Sequence, residues 1–137
     1  MKVEILKQFS VFLPNQPGAL SRVVKLFADD GINVLGIASE IRDDSGIIRF
    51  VVENKAGIHS VLTKGGCICV ESSVLSIELA DQPGELYRLT KTLADCGLNI
   101  TTVYGTAFGH GASRILIAVD DADKAKRTLE EFHNRER

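Results

Sequence analysis

A chain of 137 residues with 45% hydrophobic and 25% charged side chains has the composition of a globular protein able to build a core, which excludes a disordered polymer. Its formal charge of -2 leaves no cationic surplus to neutralise phosphates, so nucleic acid and anionic membrane are excluded as partners on charge grounds. The length admits one ordinary domain or two very small ones.

The chain opens Met1-Lys2-Val3-Glu4-Ile5-Leu6-Lys7, where charges interrupt the apolar residues too often for a signal-peptide core or a membrane span; a cytoplasmic protein is expected. Next, Phe9, Val11 and Leu13 alternate with Gln8 and Ser10, the pattern of a half-buried strand. The strand stops at Pro17-Gly18, and Pro17 suits the first turn of a helix, where its missing N–H has no partner to lose. Leu20, Val23, Val24 and Phe27 then form a helical stripe that Gly31 closes. Ile32 to Ile41 and Gly46 to Glu53 read as strands around the turn-forming Asp43-Asp44-Ser45-Gly46. A second helix is predicted from Asn54 to Lys64, and a closing strand from Cys67 to Val70.

The order then starts again. Asn15-Gln16-Pro17-Gly18-Ala19-Leu20 lies over Asp81-Gln82-Pro83-Gly84-Glu85-Leu86 at a shift of 81 − 15 = 66, and the same shift sets Arg22 on Arg88, Lys25 on Lys91, Gly31 on Gly97 and Asn33 on Asn99. Leu75, Ile77 and Leu79 repeat the first strand, and Leu86, Leu89 and Leu93 the first helix. Leu98 to Tyr104 and Ala112 to Val119 repeat the hairpin around Gly109-His110-Gly111, and Ala122, Ala125, Leu129 and Phe132 the second helical stripe. Each copy is too small to bury a full core alone, which favours stacking of the two. The second copy lacks a closing strand before Arg137, whereas Lys2 to Leu6 is surplus and aligns with Ile68 to Ser72 at the same shift. The expectation is a first unit of residues 1–71 and a second of 72–137, with residues 2–6 exchanged into the second.

The order strand, Asn/Asp-x-Pro-Gly turn, helix, Gly-x-Asn strand, hairpin, helix resembles the ACT domain, a regulatory fold that binds amino acids in many biosynthetic enzymes. The resemblance covers nearly the whole chain, twice. It implies an α+β fold of two ferredoxin-like βαββαβ units side by side, with an antiparallel eight-stranded sheet and helices on one face. It also implies that Asn15 or Asp81 holds a ligand's amino group while Asn33 or Asn99 of the partner copy adds a polar contact. Leu13 and Leu79 stand where some amino-acid-binding members place a His. The candidate ligand-binding residues are therefore Asn15, Gln16, Pro17, Gly18, Ala19 and Leu20 with Asn33 and Val34, and Asp81, Gln82, Pro83, Gly84, Glu85 and Leu86 with Asn99 and Ile100.

The chemistry suits a zwitterion. A helix N-terminus offers unpaired N–H groups to a carboxylate, an Asn or Asp oxygen accepts from an ammonium, and Gly18 and Gly84 let a ligand approach the backbone. The bland alternative is that Asn15 and Asp81 merely cap the helices. No catalytic group, metal site or cofactor is predicted. His59, His110 and His133 are scattered, and Cys67, Cys69 and Cys96 lack the paired spacing of a zinc or redox motif. Ile47 to Val52 holds one aromatic residue, against the several that an RNA-binding sheet stacks on bases. Tyr104 and Phe108 read as core or rim aromatics. The mixed charges of Lys124, Lys126, Arg127, Glu130 and Glu131 read as a solvated helix face.

The functional expectation is a non-enzymatic sensor of a small amino acid acting in trans on a partner enzyme or regulator, with homodimer formation through the sheet face that helices leave uncovered. The alternative is a structural or assembly module of the same fold without a ligand.

Overall fold

The computed structural model describes residues 1–136, with backbone alone at Arg42 and Phe108, so the Phe108 side chain and Arg137 lie outside the described residues. The elements are β1 (Lys2–Pro14), α1 (Ala19–Asp29), β2 (Val34–Arg42), β3 (Ser45–Val52), α2 (Ile58–Lys64), β4 (Ile68–Ala80), α3 (Glu85–Asp95), β5 (Ile100–Gly109), β6 (Ala112–Val119) and α4 (Ala122–Arg135). Among the described residues the antiparallel sheet has six strands and not eight, in the hydrogen-bonded order β2-β3-β1-β4-β6-β5. The physical reason is continuity. Lys2 to Leu6 and Phe9 to Leu13 run on as the 13-residue β1, and Ile68 to Val70 and Leu75 to Leu79 as the 13-residue β4, because no glycine, proline, asparagine or aspartate separates them.

Compactness groups Leu6–Ser72 into a first unit and Met1–Ile5 with Ser73–Arg137 into a second. The first core holds Phe9, Val11, Val23, Phe27, Ile48, Phe50, Val52, Ile58 and Leu62, with Cys67 and Cys69 packed against it. Phe27 meets Phe50 edge to face at 5.0 Å. The second core holds Leu75, Ile77, Leu89, Leu93, Ile117, Ala125 and Leu129, with Val3 and Ile5 packed against it.

Several local expectations shift. Helix α1 buries Ala19, Val23 and Phe27, whereas Leu20 and Val24 stay 43% and 39% exposed; Leu86 is likewise outside the second core. Helix α2 starts at Ile58 and not at Asn54, since Gly57 at φ 83° makes the turn that precedes it. The sheet face away from the helices is buried at some positions and open at others, with Phe12 at 45% exposure. Gln8, Val51, Val74, Ser76 and Leu116 alternate with the core residues of their strands, yet none exceeds 5% exposure.

The repeat also carries one inserted residue. The β2–β3 hairpin turns at Asp43-Asp44 and the β5–β6 hairpin at His110-Gly111, and a register shift between Ala107 and Gly109 absorbs the extra position. Beyond it equivalents lie 67 apart: the buried pairs Ile58 and Leu62 match Ala125 and Leu129.

Candidate functional site: two loop pockets

Gln16-Pro17-Gly18-Ala19 forms a β-turn closed by the Ala19 N–H donating to the Gln16 carbonyl at 3.3 Å, with Gly18 at φ 87° and ψ −10°. Gln82-Pro83-Gly84-Glu85 repeats it, closed by the Glu85 N–H at 3.3 Å, with Gly84 at φ 93° and ψ −18°. Pro in the second place and a positive-φ residue in the third are what a type II turn requires. Pro17 thus sits ahead of the helix and not in its first turn, and the positive φ accounts for the glycine without any ligand.

Gly18 and Gly84 are the N-cap residues, and neither α1 nor α3 has a side-chain cap. Capping by Asn15 and Asp81 is thereby excluded, and first-turn N–H groups are left to solvent or to a ligand. The two residues serve the hairpin tips instead. The Asn15 N–H donates to the Asp44 carbonyl at 2.8 Å, and its Nδ2 donates to the Asp43 carbonyl at 2.9 Å, which leaves Oδ1 as an acceptor. The Asp81 N–H donates to the Gly111 carbonyl at 2.8 Å; among the described residues its carboxylate has no hydrogen-bond partner. Asp43 and His110 hold positive φ values of 53° and 57° in the tips that supply these carbonyls.

Between each loop and its own hairpin lies a pocket. The first, of about 280 Å³, is lined by Asn15, Gln16, Ala19 and Leu20 together with Ile37, Ser39 and Ile41 on one face of β2. The second, of about 270 Å³, is lined by Asp81, Gln82, Glu85 and Leu86 with Gly105, Thr106 and Ala107 of β5. The first is apolar and carries no charged side chain. The second exchanges Ile41 for Ala107 and adds the carboxylates of Asp81 and Glu85, of which Glu85 is engaged with Arg88 at 3.3 Å.

Asn33 and Asn99 belong to neither pocket. Their backbone N–H groups donate to Glu53 Oε1 at 3.1 Å and Asp120 Oδ1 at 3.2 Å. Within the first unit, Asn33 is separated from the hairpin tip by the length of β2, roughly 30 Å at about 3.3 Å per residue, so it cannot share a small ligand with Asn15 there. Val34 and Ile100 begin the edge strands beside these two residues. The β2 and β5 linings were missed in the sequence; the alternation Ile37, Ser39, Ile41 places three residues on one strand face but does not say that α1 leaves that face partly open.

An ACT domain pair model matches residues 4–133. The chain belongs to the ACT family. Its domains are regulatory, and the pair accounts for the repeat of turn, helix and hairpin in both units. Protein BT0572 from Bacteroides thetaiotaomicron is similar with a TM-score of 0.86 at 25% identity, over 96% of this chain and 90% of that one. The regulatory subunit of aspartate kinase from Thermus thermophilus has the same fold with a TM-score of 0.69 at 18% identity, over 96% of both chains. That from Thermus flavus gives 0.66 at 19% identity, over 98% of this ACT pair and 96% of its own chain. No curated protein matches the sequence. Among the described residues of the ACT pair no group of three His, Cys, Asp or Glu side chains could hold a metal ion, and no helix is long and apolar enough to cross a membrane.

Proposed function

We propose that this ACT pair is a sensor of a small amino acid that acts in trans on an enzyme or regulator. The observation that carries the reading is the pair of equivalent loop pockets whose Asn15 Oδ1 and Asp81 carboxylate are not spent on helix capping. Each is an oxygen acceptor beside open helix N–H groups, so an amino acid meets a partner for its ammonium and donors for its carboxylate. Asn33 and Asn99 do not line the pocket of their own unit. Binding then shifts the population of a state that the partner recognises. The fold shared with aspartate kinase regulatory subunits favours a partner in amino-acid metabolism.

Leu20, Ile37 and Ile41 border the first pocket at 43%, 50% and 51% exposure, and β2 has a single hydrogen-bonded neighbour. An apolar rim beside an unpaired strand edge favours a homodimer as the functional state. A thermal-shift screen with the twenty amino acids tests the proposal, because a ligand specific to the native state raises its stability. One or a few small amino acids are expected to raise the midpoint; no shift with any of them leaves the assembly module without a ligand as the reading.

A further inference from the structure

Arg22 and Arg88 are equivalents on α1 and α3, and the two have opposite surroundings. Arg88 is satisfied by its own chain: Glu85 lies at 3.3 Å, Glu136 at the end of α4 makes a second ion pair, and the guanidinium stands 5.7 Å from the centre of the Phe132 ring. At the equivalent places Arg22 has Ala19 for Glu85 and Gly65 for Phe132, since 19 + 66 = 85 and 65 + 67 = 132, and α2 ends before any counterpart of Glu136. Phe12 replaces Glu78 of the Arg88 pocket. Among the described residues Arg22 has no carboxylate partner.

Space differs as charge does. Helix α2 stops at Lys64 and the chain turns away at Gly65-Gly66, with Gly66 at φ 85°, whereas α4 continues across α3 to Arg135. The cavity beside Arg22 accordingly measures about 510 Å³ against about 240 Å³ beside Arg88. Its floor is apolar, with Phe12, Leu13 and Leu26, and Leu26 packs directly on Gly65. Burial pushes the Cys67 thiol up, so Cys67 adds no negative charge to this wall at neutral pH, and Lys25 beside it is held at 2.6 Å by Asp29.

We propose that the cavity between α1 and the Gly65-Gly66 turn is a second ligand site, distinct from the loop pockets, for a small carboxylate with an apolar or aromatic body. The ligand's carboxylate takes the place on Arg22 that Glu85 and Glu136 fill on Arg88, and its body covers the apolar floor where Phe132 lies in the other unit. A fork of guanidinium donors suits a carboxylate bidentately.

Phenylacetate is a suitable probe, titrated into the full chain by calorimetry at low salt. The expected result is binding that weakens with added salt, falls at least about tenfold in Arg22→Gln, and persists in Arg88→Gln and Asn15→Ala. Phenethylamine, which lacks the carboxylate, is expected not to compete. Absence of phenylacetate binding at millimolar concentration, or equal binding by the parent and Arg22→Gln with matching thermal midpoints, overturns the proposal. Loss in Asn15→Ala with retention in Arg22→Gln also overturns it, by assigning the probe to the loop pocket.

Discussion

The two units run through the same turn, helix and hairpin, but they finish differently. In the first, α2 is seven residues long, starts from the positive-φ Gly57 and ends at Gly65. In the second, α4 is fourteen residues long and starts from Asp121, whose side chain accepts from the Lys124 N–H. Both bury the same two positions, Ile58 and Leu62 or Ala125 and Leu129. The core therefore requires only two turns of helix, and whatever lies beyond is free to become an open cavity or a lid on Arg88. The loop pockets differ in the same manner: one β-turn frame is kept, while the lining exchanges an apolar wall for two carboxylates.

The largest expected effect tests the uneven division of the chain. Val3 and Ile5 pack against the second core only. Deleting residues 1–5 is expected to cost about 3 kcal/mol or more, with about 2 from two partly buried aliphatic side chains and the remainder from lost ladder hydrogen bonds worth about 1 each. Urea unfolding gives the size, and amide exchange gives the place: protection should fall first in β4 and β6. Unchanged stability would mean that the exchanged segment contributes nothing to the second unit.

The pocket comparison sharpens on chemistry. An Asp carboxylate makes a charge-assisted bond to an ammonium, stronger than the neutral bond from the Asn15 amide oxygen. Asp81→Ala should weaken the tighter phase of amino-acid binding by about 1.5–3 kcal/mol, and Asn15→Ala a weaker phase by about 1 kcal/mol. Calorimetry showing parental affinity in both variants would remove the two loops from ligand binding.

The helix starts give the smallest effect. Gly84→Ala forces a Cβ into φ 93° and is expected to destabilise by about 1–2 kcal/mol although nothing lies within 4 Å of the added atom, because the cost is in the backbone. Asp121→Ala removes a side-chain cap and should cost about 1 kcal/mol. Equal loss from Gly84→Ser and Gly84→Ala would support the backbone account, since a serine able to cap would otherwise recover part of it.

Periodicity and self-similarity were enough to read the repeat, the Pro-Gly turns, the element order and the ACT resemblance from the residues alone, because each depends on neighbours within one turn or strand. The apolar positions Phe9, Val11, Phe27, Leu89 and Leu93 were legible as core for the same reason. What depended on distant partners was not. That Lys2–Pro14 is one strand serving both units, that Asn15 and Asp81 hold hairpin tips instead of helix ends, and that Leu20 and Val24 face solvent while Ala19 is buried all follow from which surfaces meet, and local spacing carries no record of that. The contrast between Arg22 and Arg88 is of the same kind. Identical residues at identical repeat positions acquire different surroundings because one has a long helix folded over it and the other has a glycine turn.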